Sequence, residues 1–350
     1  MKTIINYSTP KNQIQKLISQ NLIINDKDNA ERILTIYGYS NLIKSYRDPF
    51  VIMEDGKKKY RDGVSFEQIA SLYMLDKNLR NAVMSSMLDL EEHLKEAAAT
   101  VIAQSFGTDQ NEYLKFKNYR DKKRAKEQFR LNSIINRMKT TLTSDKDPIK
   151  HYRDKYKNVP PWILFKSIYF TTIINFIALF KPCEHEQMAT RLYNHKKLGL
   201  TIDATRKLMM DTLYICGDYR NRAAHGGRIY NYVSNCQLRA STIFNDDLDN
   251  LSGVGQLLFL LNSLEYNVPY THLKQTLSHE VARHCDKFPQ DATYLGQILK
   301  VNIIERKVVY INEKSRIFHR DSKCSGIKNV KIIDYDDALK QGYCACKRCI

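Results

Sequence analysis

The chain has 350 residues, of which 43% are hydrophobic, so it can bury one large core or one core with a small additional module. Its formal net charge of +17 favours a polyanionic partner, with nucleic acid ahead of an anionic membrane. The most apolar run, residues 162–180, is too short and too polar to span a bilayer, and the first residues lack the apolar run of a secretion signal. We therefore expect a cytoplasmic protein with no membrane partner.

Apolar residues recur at helical spacing through most of the chain, which predicts an all-α fold up to about residue 285. One predicted helix is unusually long, from a cap at Ser65 to a stop at Gly107. His279 and His284 are expected to face solvent on a late amphipathic helix. The other predicted helices cover residues 8–22, the segment before Gly38, and residues 162–180, 203–219, 251–264 and 272–284.

A strongly basic segment lies in the middle of the chain. Residues 115–157 contain fifteen Lys or Arg against five Asp or Glu. Aromatic residues are interleaved with these cations, so phosphates could take the cations while unpaired bases stack on the rings. The segment predicts an RNA-binding surface, and the alternative is a basic insertion that binds nothing. The aromatic residues are Tyr113, just before the segment, and Phe116, Tyr119, Phe129, Tyr152 and Tyr156 within it.

The helix predicted over 203–219 ends in the sequence YRNRAAHGG, residues 219–227. Arg220 is a permanent cation that can hold a phosphate, and His225 belongs to the residue type that titrates near neutral pH and can move a proton. On an ideal helix a spacing of five positions puts the two side chains about 140° apart. They can meet if the helix breaks at Gly226 and Gly227, or if two copies of the motif face each other across a two-fold axis.

The sequence YRNRAAHGGR resembles the Arg-Asn-x3-His motif of the HEPN ribonuclease superfamily, in particular that of the Abi-like proteins of bacterial abortive infection. Three further stretches resemble the same family in the expected order. They are GYSNLI at 38–43 with DPF at 48–50, IKHYR at 149–153, and PPW at 160–162. The resemblance implies an all-α HEPN-type helical bundle, which we assign to residues 1–292.

The resemblance also implies an antiphage, toxin-like endoribonuclease that acts as a homodimer. Arg220 and His225 from two subunits would form a composite site, with Asn221 orienting them. The 2′-hydroxyl of the RNA substrate would attack the adjacent phosphate and leave a 2′,3′-cyclic phosphate. No cofactor is expected for catalysis, because the sequence offers no carboxylate cluster for two divalent ions. A structured non-coding RNA is a further implied partner, and the alternative function is an RNA-binding regulatory protein that does not cleave RNA.

The pattern changes near residue 305, where residues 308–311 and 316–319 predict a β-hairpin around a short turn. His319-x4-Cys324 and Cys346-x2-Cys349 then supply two ligand pairs separated by 21 residues. Four such ligands predict a closed, structural Zn²⁺ site in a small α+β zinc-binding module, residues 305–350, that is too small for a large core of its own.

The end of this module resembles the small zinc modules of Ada-type DNA-repair proteins, which share its Cys-Lys-Arg-Cys ending at residues 346–349. His319 stands where the Ada type has cysteine. Cys344 can replace Cys346 as a ligand or remain a free thiol, and the sequence leaves both possibilities open.

Overall fold

The computed structural model describes residues 6–122, 126–236, 238, 252–301, 308–312, 315–319, 324 and 331–346. The chain divides into two compact units, Met1–Val301 and Asn302–Ile350. The first unit is mostly helical. In chain order its helices are α1 Pro10–Ser19, α2 Lys27–Tyr37, α3 Phe66–Phe106, α4 Gln110–Tyr113, α5 Leu131–Leu142, α6 Ile149–Tyr156, α7 Pro161–Lys166, α8 Phe170–Ile177, α9 Pro182–Leu192, α10 Ile202–Ala224, α11 Gly253–Asn262, α12 Val268–Cys285 and α13 Ala292–Leu299.

Helix α3 is the element on which the first unit is packed, and it contacts α7, α9, α10 and α12. The Ser65 hydroxyl caps its start by accepting a hydrogen bond from the Gln68 amide at 3.1 Å. Gly107 ends it at a φ of 80°, a conformation that glycine adopts at little cost. Both predicted ends of this helix are confirmed. Its wholly buried apolar side chains include Val83, Met87, Leu90 and Leu94.

A β-hairpin interrupts the helices before α3, so the expectation of an all-α chain up to residue 285 is wrong here. Strand β1, Val51–Glu54, pairs antiparallel with β2, Lys57–Tyr60. The loop between them is Asp55-Gly56, with φ values of 49° and 72°. Positive φ at both positions is what a two-residue hairpin loop requires, and Asp-Gly is a strong sequence signal for it.

The apolar run 162–180 forms two short helices, α7 and α8, rather than the single helix predicted. Ser167 ends α7, and Tyr169 is extended at φ −74° and ψ 151° before α8 begins. Burial does not require the run to be continuous, since Phe165, Phe176 and Phe180 are all fully buried. No helix in the described part of the chain is long and apolar enough to cross a membrane.

His284 contradicts the expectation that both late histidines face solvent. His279 is exposed, but His284 on α12 is only 1% exposed. Its Nε2 lies 2.9 Å from an Oδ2 of Asp291, and its Nδ1 lies 2.9 Å from the Ser71 hydroxyl on α3. Gln68 donates to both oxygens of the same Asp291. A carboxylate seven residues later thus holds His284 against α3, which helical periodicity alone does not reveal.

The described residues of the second unit form a four-stranded sheet in the order β5-β3-β4-β6 and one helix. β3 pairs antiparallel with both β4 and β5, which confirms the predicted hairpin, while β4 pairs parallel with β6. Val309, Ile311, Phe318 and Ala338 form its small core. The elements are β3 Val308–Asn312, β4 Ile317–His319, β5 Lys331–Asp334, α14 Tyr335–Lys340 and β6 Cys344–Ala345.

Candidate active site and metal centre

The predicted active-site residues lie at the C-terminal end of α10, which is continuous through Ala224. His225 is the capping residue that follows, with φ −91° and ψ 15°, and its amide still donates to the Asn221 carbonyl at 3.1 Å. The helix therefore does not break before His225. With helical geometry kept over this span, the Arg220 and His225 side chains of one chain leave the axis about 140° apart.

The turn that ends α10 follows directly after His225. The Gly227 amide donates to the Arg222 carbonyl at 2.9 Å, and the Gly226 amide donates to the Ala223 carbonyl at 3.1 Å. This is a Schellman motif, and Gly226 supplies its left-handed residue at φ 68°. A Cβ on Gly227 would lie 2.3 Å from Nε of Arg222, so this close approach favours glycine. The two glycines thus end the helix after the motif.

The three predicted catalytic residues differ in exposure. His225 is exposed, whereas Arg220 and Asn221 are half-buried. The Nε of Arg220 is buried and has no hydrogen-bond partner among the described residues. An unpartnered buried donor is costly. Arg220 can thus still donate to a ligand, while His225 is open to solvent and to a second molecule.

Asp218, two positions before Arg220, holds the segment that follows α10. One of its carboxylate oxygens accepts hydrogen bonds from the Tyr232 hydroxyl at 2.8 Å, the Ser234 hydroxyl at 2.7 Å and the Asn235 amide at 3.1 Å. The guanidinium of Arg222 lies over the Tyr232 ring, 4.9 Å from its centroid. Asp218 and Arg222 therefore have structural partners, whereas Nε of Arg220 has none among the residues that the structure describes.

A second carboxylate, Asp76 of α3, is fully buried beneath the end of the motif. Its Oδ1 accepts hydrogen bonds from the backbone amides of Ile229 and Tyr230, at 2.8 and 2.7 Å. Its Oδ2 accepts from the Tyr46 hydroxyl and from Arg80, the latter at 2.8 Å. Burial and the Asp76 charge raise the pKa of Tyr46, so this phenol stays protonated and donates.

The N-terminal stretch that resembles the Abi-like family, residues 38–50, contacts the segment that follows α10. A π-helical turn, Ser40–Lys44, leads to Tyr46, whose ring stacks on Tyr230 with centroids 5.8 Å apart. Arg228 donates a hydrogen bond to the Ser45 carbonyl. Stretches almost two hundred residues apart in sequence thus meet at the end of α10. Sequence reasoning missed Asp76, because nothing local in α3 indicates a partner at residues 229 and 230.

The basic segment divides into core and surface residues. Tyr113 and Tyr119 are 0% and 5% exposed, so these two rings belong to the core and are not open to bases. Phe116 and Tyr156 are exposed, while Tyr152 is half-buried. Of the cations predicted in this segment, Lys123 and Arg124 lie outside the described residues. The predicted RNA-binding surface therefore has fewer available rings than the sequence suggests.

Three rings form an outward-facing group on α6. Tyr152 and Tyr156 have centroids 5.3 Å apart, and His151 lies 5.6 and 5.9 Å from them. Lys155 lies over the Tyr156 ring, 5.2 Å from its centroid. Exposed rings beside a cation are what stacking of unpaired bases requires.

Three of the four predicted metal ligands meet in the second unit. The ligand atoms of His319, Cys324 and Cys346 all lie within 4.8 Å of one another. The sulfurs of Cys324 and Cys346 are 3.9 Å apart, close to the spacing of about 3.8 Å expected for two thiolates on one tetrahedral Zn²⁺. The donor set therefore fits a zinc ion. The fourth predicted ligand, Cys349, lies outside the described residues.

The structure distinguishes Cys344 from Cys346, either of which could be the metal ligand on sequence alone. Cys346 is buried in the His319 and Cys324 group, whereas Cys344 is exposed and is not part of that group. Cys344 lies in β6, where its amide donates to the Arg316 carbonyl at 2.9 Å. β6 ends at Ala345, so Cys346 lies just beyond the strand, and it is Cys346 that belongs to the group of His319 and Cys324.

Comparison with known proteins places the helical unit in a family. A model of the Abi-like protein family matches residues 32–231, more than half of the chain. The match contains the Tyr46 and Asp76 region, the basic segment and the whole of the α10 motif. No curated protein and no solved structure matches the chain. On the extent of this match, the chain belongs to the Abi-like protein family.

Proposed function

We propose that this protein is a HEPN-type endoribonuclease of antiphage abortive infection, acting in the cytoplasm as a homodimer. One observation carries the proposal: α10 is continuous through the motif, so Arg220 and His225 of one chain diverge. Within the described part of the chain, Nε of Arg220 nevertheless has no hydrogen-bond partner, and His225 is exposed. A second copy related by a two-fold axis would bring each His225 to the partner's arginine. Membership of the Abi-like family supports a defence role.

The chemistry of this site needs only side chains. One group removes the proton from the 2′-hydroxyl, whose oxygen then forms a bond to the adjacent phosphorus. The bond from phosphorus to the 5′-oxygen breaks, and that oxygen takes up a proton. The products are a 2′,3′-cyclic phosphate and a 5′-hydroxyl. His225 would transfer a proton, Arg220 would stabilise the added negative charge, and Asn221 would orient the pair.

The remaining parts of the proposal concern organisation and partners. Residues 1–292 would form the HEPN-type catalytic domain, and residues 305–350 a module held by a structural Zn²⁺. The zinc would take no part in cleavage. RNA is the substrate, and the exposed rings of α6 within the basic segment suit a structured non-coding RNA with unpaired bases as an additional partner.

Mapping the ends of RNA that co-purifies with the protein tests the activity directly. Cleavage by the protein should leave 2′,3′-cyclic phosphates at defined 3′ ends, and these ends should disappear when His225→Ala protein is prepared in the same way. Cyclic phosphates at the same positions in both preparations would assign them to another nuclease.

The second candidate function is an RNA-binding regulator that does not cleave. The ring cluster of His151, Tyr152 and Tyr156 favours it, because this cluster offers a binding surface that needs no catalytic motif. Two results together would select this function. The bound RNA would have intact 3′-hydroxyl ends, and His225→Ala protein would keep the full cellular effect of the wild type.

Tyr156→Ala should weaken binding of single-stranded RNA by roughly 1–3 kcal/mol, the range for losing one stacked base. The dependence of affinity on salt should not change, because no phosphate contact is removed. Fluorescence anisotropy at several salt concentrations measures both quantities. Tyr169→Ala is the matched control, since Tyr169 is 80% exposed and has no ring contact among the described residues. Equal losses in the two variants would remove α6 from the binding surface.

Purified protein should contain about one zinc per chain, and Cys346→Ser should lose it together with the fold of the second unit. Cys344→Ser is the matched control and should retain the metal, because Cys344 is exposed and apart from the other ligands. Elemental analysis and near-UV circular dichroism follow metal and fold. Freshly prepared wild-type protein without zinc would refute the site. Loss of zinc from Cys344→Ser but not from Cys346→Ser would show that Cys344 is the ligand in place of Cys346.

A further inference from the structure

A cavity of about 310 Å³ lies in the basic segment, where α4 and the 3₁₀ turn Phe116–Asn118 face α5. Ligand pockets usually have volumes of about 300–1,000 Å³, so this one is large enough for a single nucleotide. The motif residues of α10 and the rings of α6 are not among those that line it. The lining residues are Gln110, Asn111, Leu114, Lys115, Phe116, Lys117 and Lys139.

The apolar part of this lining is formed by Leu114 and Phe116. Leu114 is 3% exposed and belongs to the core, whereas Phe116 is 42% exposed, so part of its ring is open to a ligand. Lys139 of α5 lies over this ring, with its Nζ 5.5 Å from the ring centroid. An exposed ring offers a surface on which a base can stack, and a cation beside it can meet the phosphate of the same nucleotide.

Two carboxamide side chains supply the neutral polar part of the lining. Gln110 is held in place, because its Oε1 accepts from the Val159 amide at 2.7 Å and its Nε2 donates to the Lys157 carbonyl at 3.4 Å. Asn111 is exposed, and its side chain forms no hydrogen bond with any residue that the structure describes. A free carboxamide both donates and accepts, as the polar edge of a nucleobase requires.

The charge around the cavity is positive. Lys115 pairs with Glu112, a carboxylate that does not itself line the cavity. Lys117 and Lys139 are exposed and have no ion-pair partner within the described part of the chain. Lys181 adds a cation next to them, since its Nζ donates to the Lys117 carbonyl at 2.6 Å. These cations outnumber the single, already paired carboxylate, so the cavity attracts an anion.

We propose that this cavity binds one unpaired nucleotide. The base stacks on Phe116 with its polar edge at Asn111, and the phosphate is held by Lys117 and Lys139. Each part of a nucleotide thus has a matching group: a ring for the face of the base, a carboxamide for its edge, and ammonium groups for the phosphate. An acidic peptide would match only the ammonium groups.

The nucleotide can belong to an RNA strand or be a free mononucleotide. Gln110 is bonded to Lys157, the residue after Tyr156 and α6, so the cavity borders the exposed rings of α6. A strand that stacks on Tyr156 therefore has the cavity close to its neighbouring bases. With RNA as the ligand, the inference rests on the proposed function and adds a pocket to its RNA-binding surface.

Phe116→Ala in the full-length protein tests the stacking. One ligand is a 2′-O-methyl RNA dodecamer, which lacks the nucleophilic hydroxyl and is followed by fluorescence anisotropy. The other is AMP, followed by calorimetry. Phe116→Ala should weaken binding of the ligand that occupies the cavity roughly tenfold, and Phe116→Tyr, which keeps the ring, should restore it. Tyr169→Ala is the control, because Tyr169 is 80% exposed and does not line the cavity.

The two ligands separate the sources of the nucleotide. A loss with the dodecamer identifies a nucleotide of an RNA strand, and a loss with AMP alone identifies a free nucleotide. Wild-type affinity of Phe116→Ala protein for both ligands would overturn the proposal while leaving the proposed ribonuclease intact. Failure of wild-type protein to bind the dodecamer would contradict its RNA partner, and the AMP titration would then decide the cavity: no binding of AMP would overturn the proposal.

Lys139→Gln tests the phosphate contact independently. It should weaken binding of the dodecamer and reduce the salt dependence by about one ion, as expected for one lost phosphate contact. Phe116→Ala should leave the salt dependence unchanged. Arg137→Gln is the matched control, because Arg137 is exposed on the same helix but does not line the cavity. Equal effects of Lys139→Gln and Arg137→Gln would replace the pocket by a diffuse basic surface.

Discussion

His225→Ala and Arg220→Ala should each abolish RNA cleavage and the toxicity that depends on it. Loss of a general acid or base costs about 10²–10⁴-fold in rate, and loss of a transition-state donor costs about 10²–10³-fold. RNA affinity should change much less, since many cations share the binding. Single-turnover cleavage of a labelled RNA, with affinity measured separately, distinguishes the two effects. His279→Ala is the matched control, because His279 is exposed on α12, outside the motif.

Mixing the two single variants tests whether the site is shared between subunits. A heterodimer of Arg220→Ala and His225→Ala chains has one composite site with both lesions and one with none. Random exchange of subunits should therefore restore about a quarter of the wild-type activity. No recovery would contradict a site built from the arginine of one chain and the histidine of the other, and full activity of the double variant would remove both residues from catalysis. EDTA should not inhibit cleavage except through slow damage to the zinc module.

Asp76→Ala should destabilise the helical unit by about 3–5 kcal/mol, the cost of removing one partner from a buried ion pair. It would leave the Arg80 guanidinium without its carboxylate and the Ile229 and Tyr230 amides without an acceptor. Urea unfolding followed by far-UV circular dichroism measures the loss. Asp76→Asn keeps a carbonyl oxygen and should cost less.

Asp203→Ala is the control for the loss of an aspartate from an ion pair. Asp203 pairs with Arg206 at the surface, with a side chain that is 77% exposed, so its removal should change stability by less than about 1 kcal/mol. A cost for Asp76→Ala that is no larger than that of Asp203→Ala would show that Asp76 does not anchor the end of α10.

Local signals made much of the fold predictable from sequence. The cap at Ser65 and the stop at Gly107 set the ends of α3, and Gly226 marks the end of α10. The hairpin was also marked locally, by Asp55-Gly56, but the surrounding helical pattern outweighed it. The break in the run 162–180 could not be predicted in this way, since both α7 and α8 are buried and periodicity does not show where a buried helix stops.

The candidate sites likewise include residues with a local sequence signal and residues without one. The resemblance to the HEPN motif selected Arg220 and His225, and the spacing of two ligand pairs selected the metal ligands, because each group lies within a short stretch or a recurring pair. Asp76 was missed because its partner is distant in sequence: Ile229 lies 153 positions from it. A single sequence carries no local mark of such contacts.

The position of Asp76 bears on how the end of α10 opens. Helix ends commonly fray, and their amides then exchange with solvent without unfolding of the protein. Here the amides of Ile229 and Tyr230, just beyond the helix, donate to a carboxylate that is buried on α3. They can be released only when that contact with the long helix is lost. The end of α10 therefore belongs to the cooperative unit of α3, and local fraying does not govern how long the motif keeps its geometry.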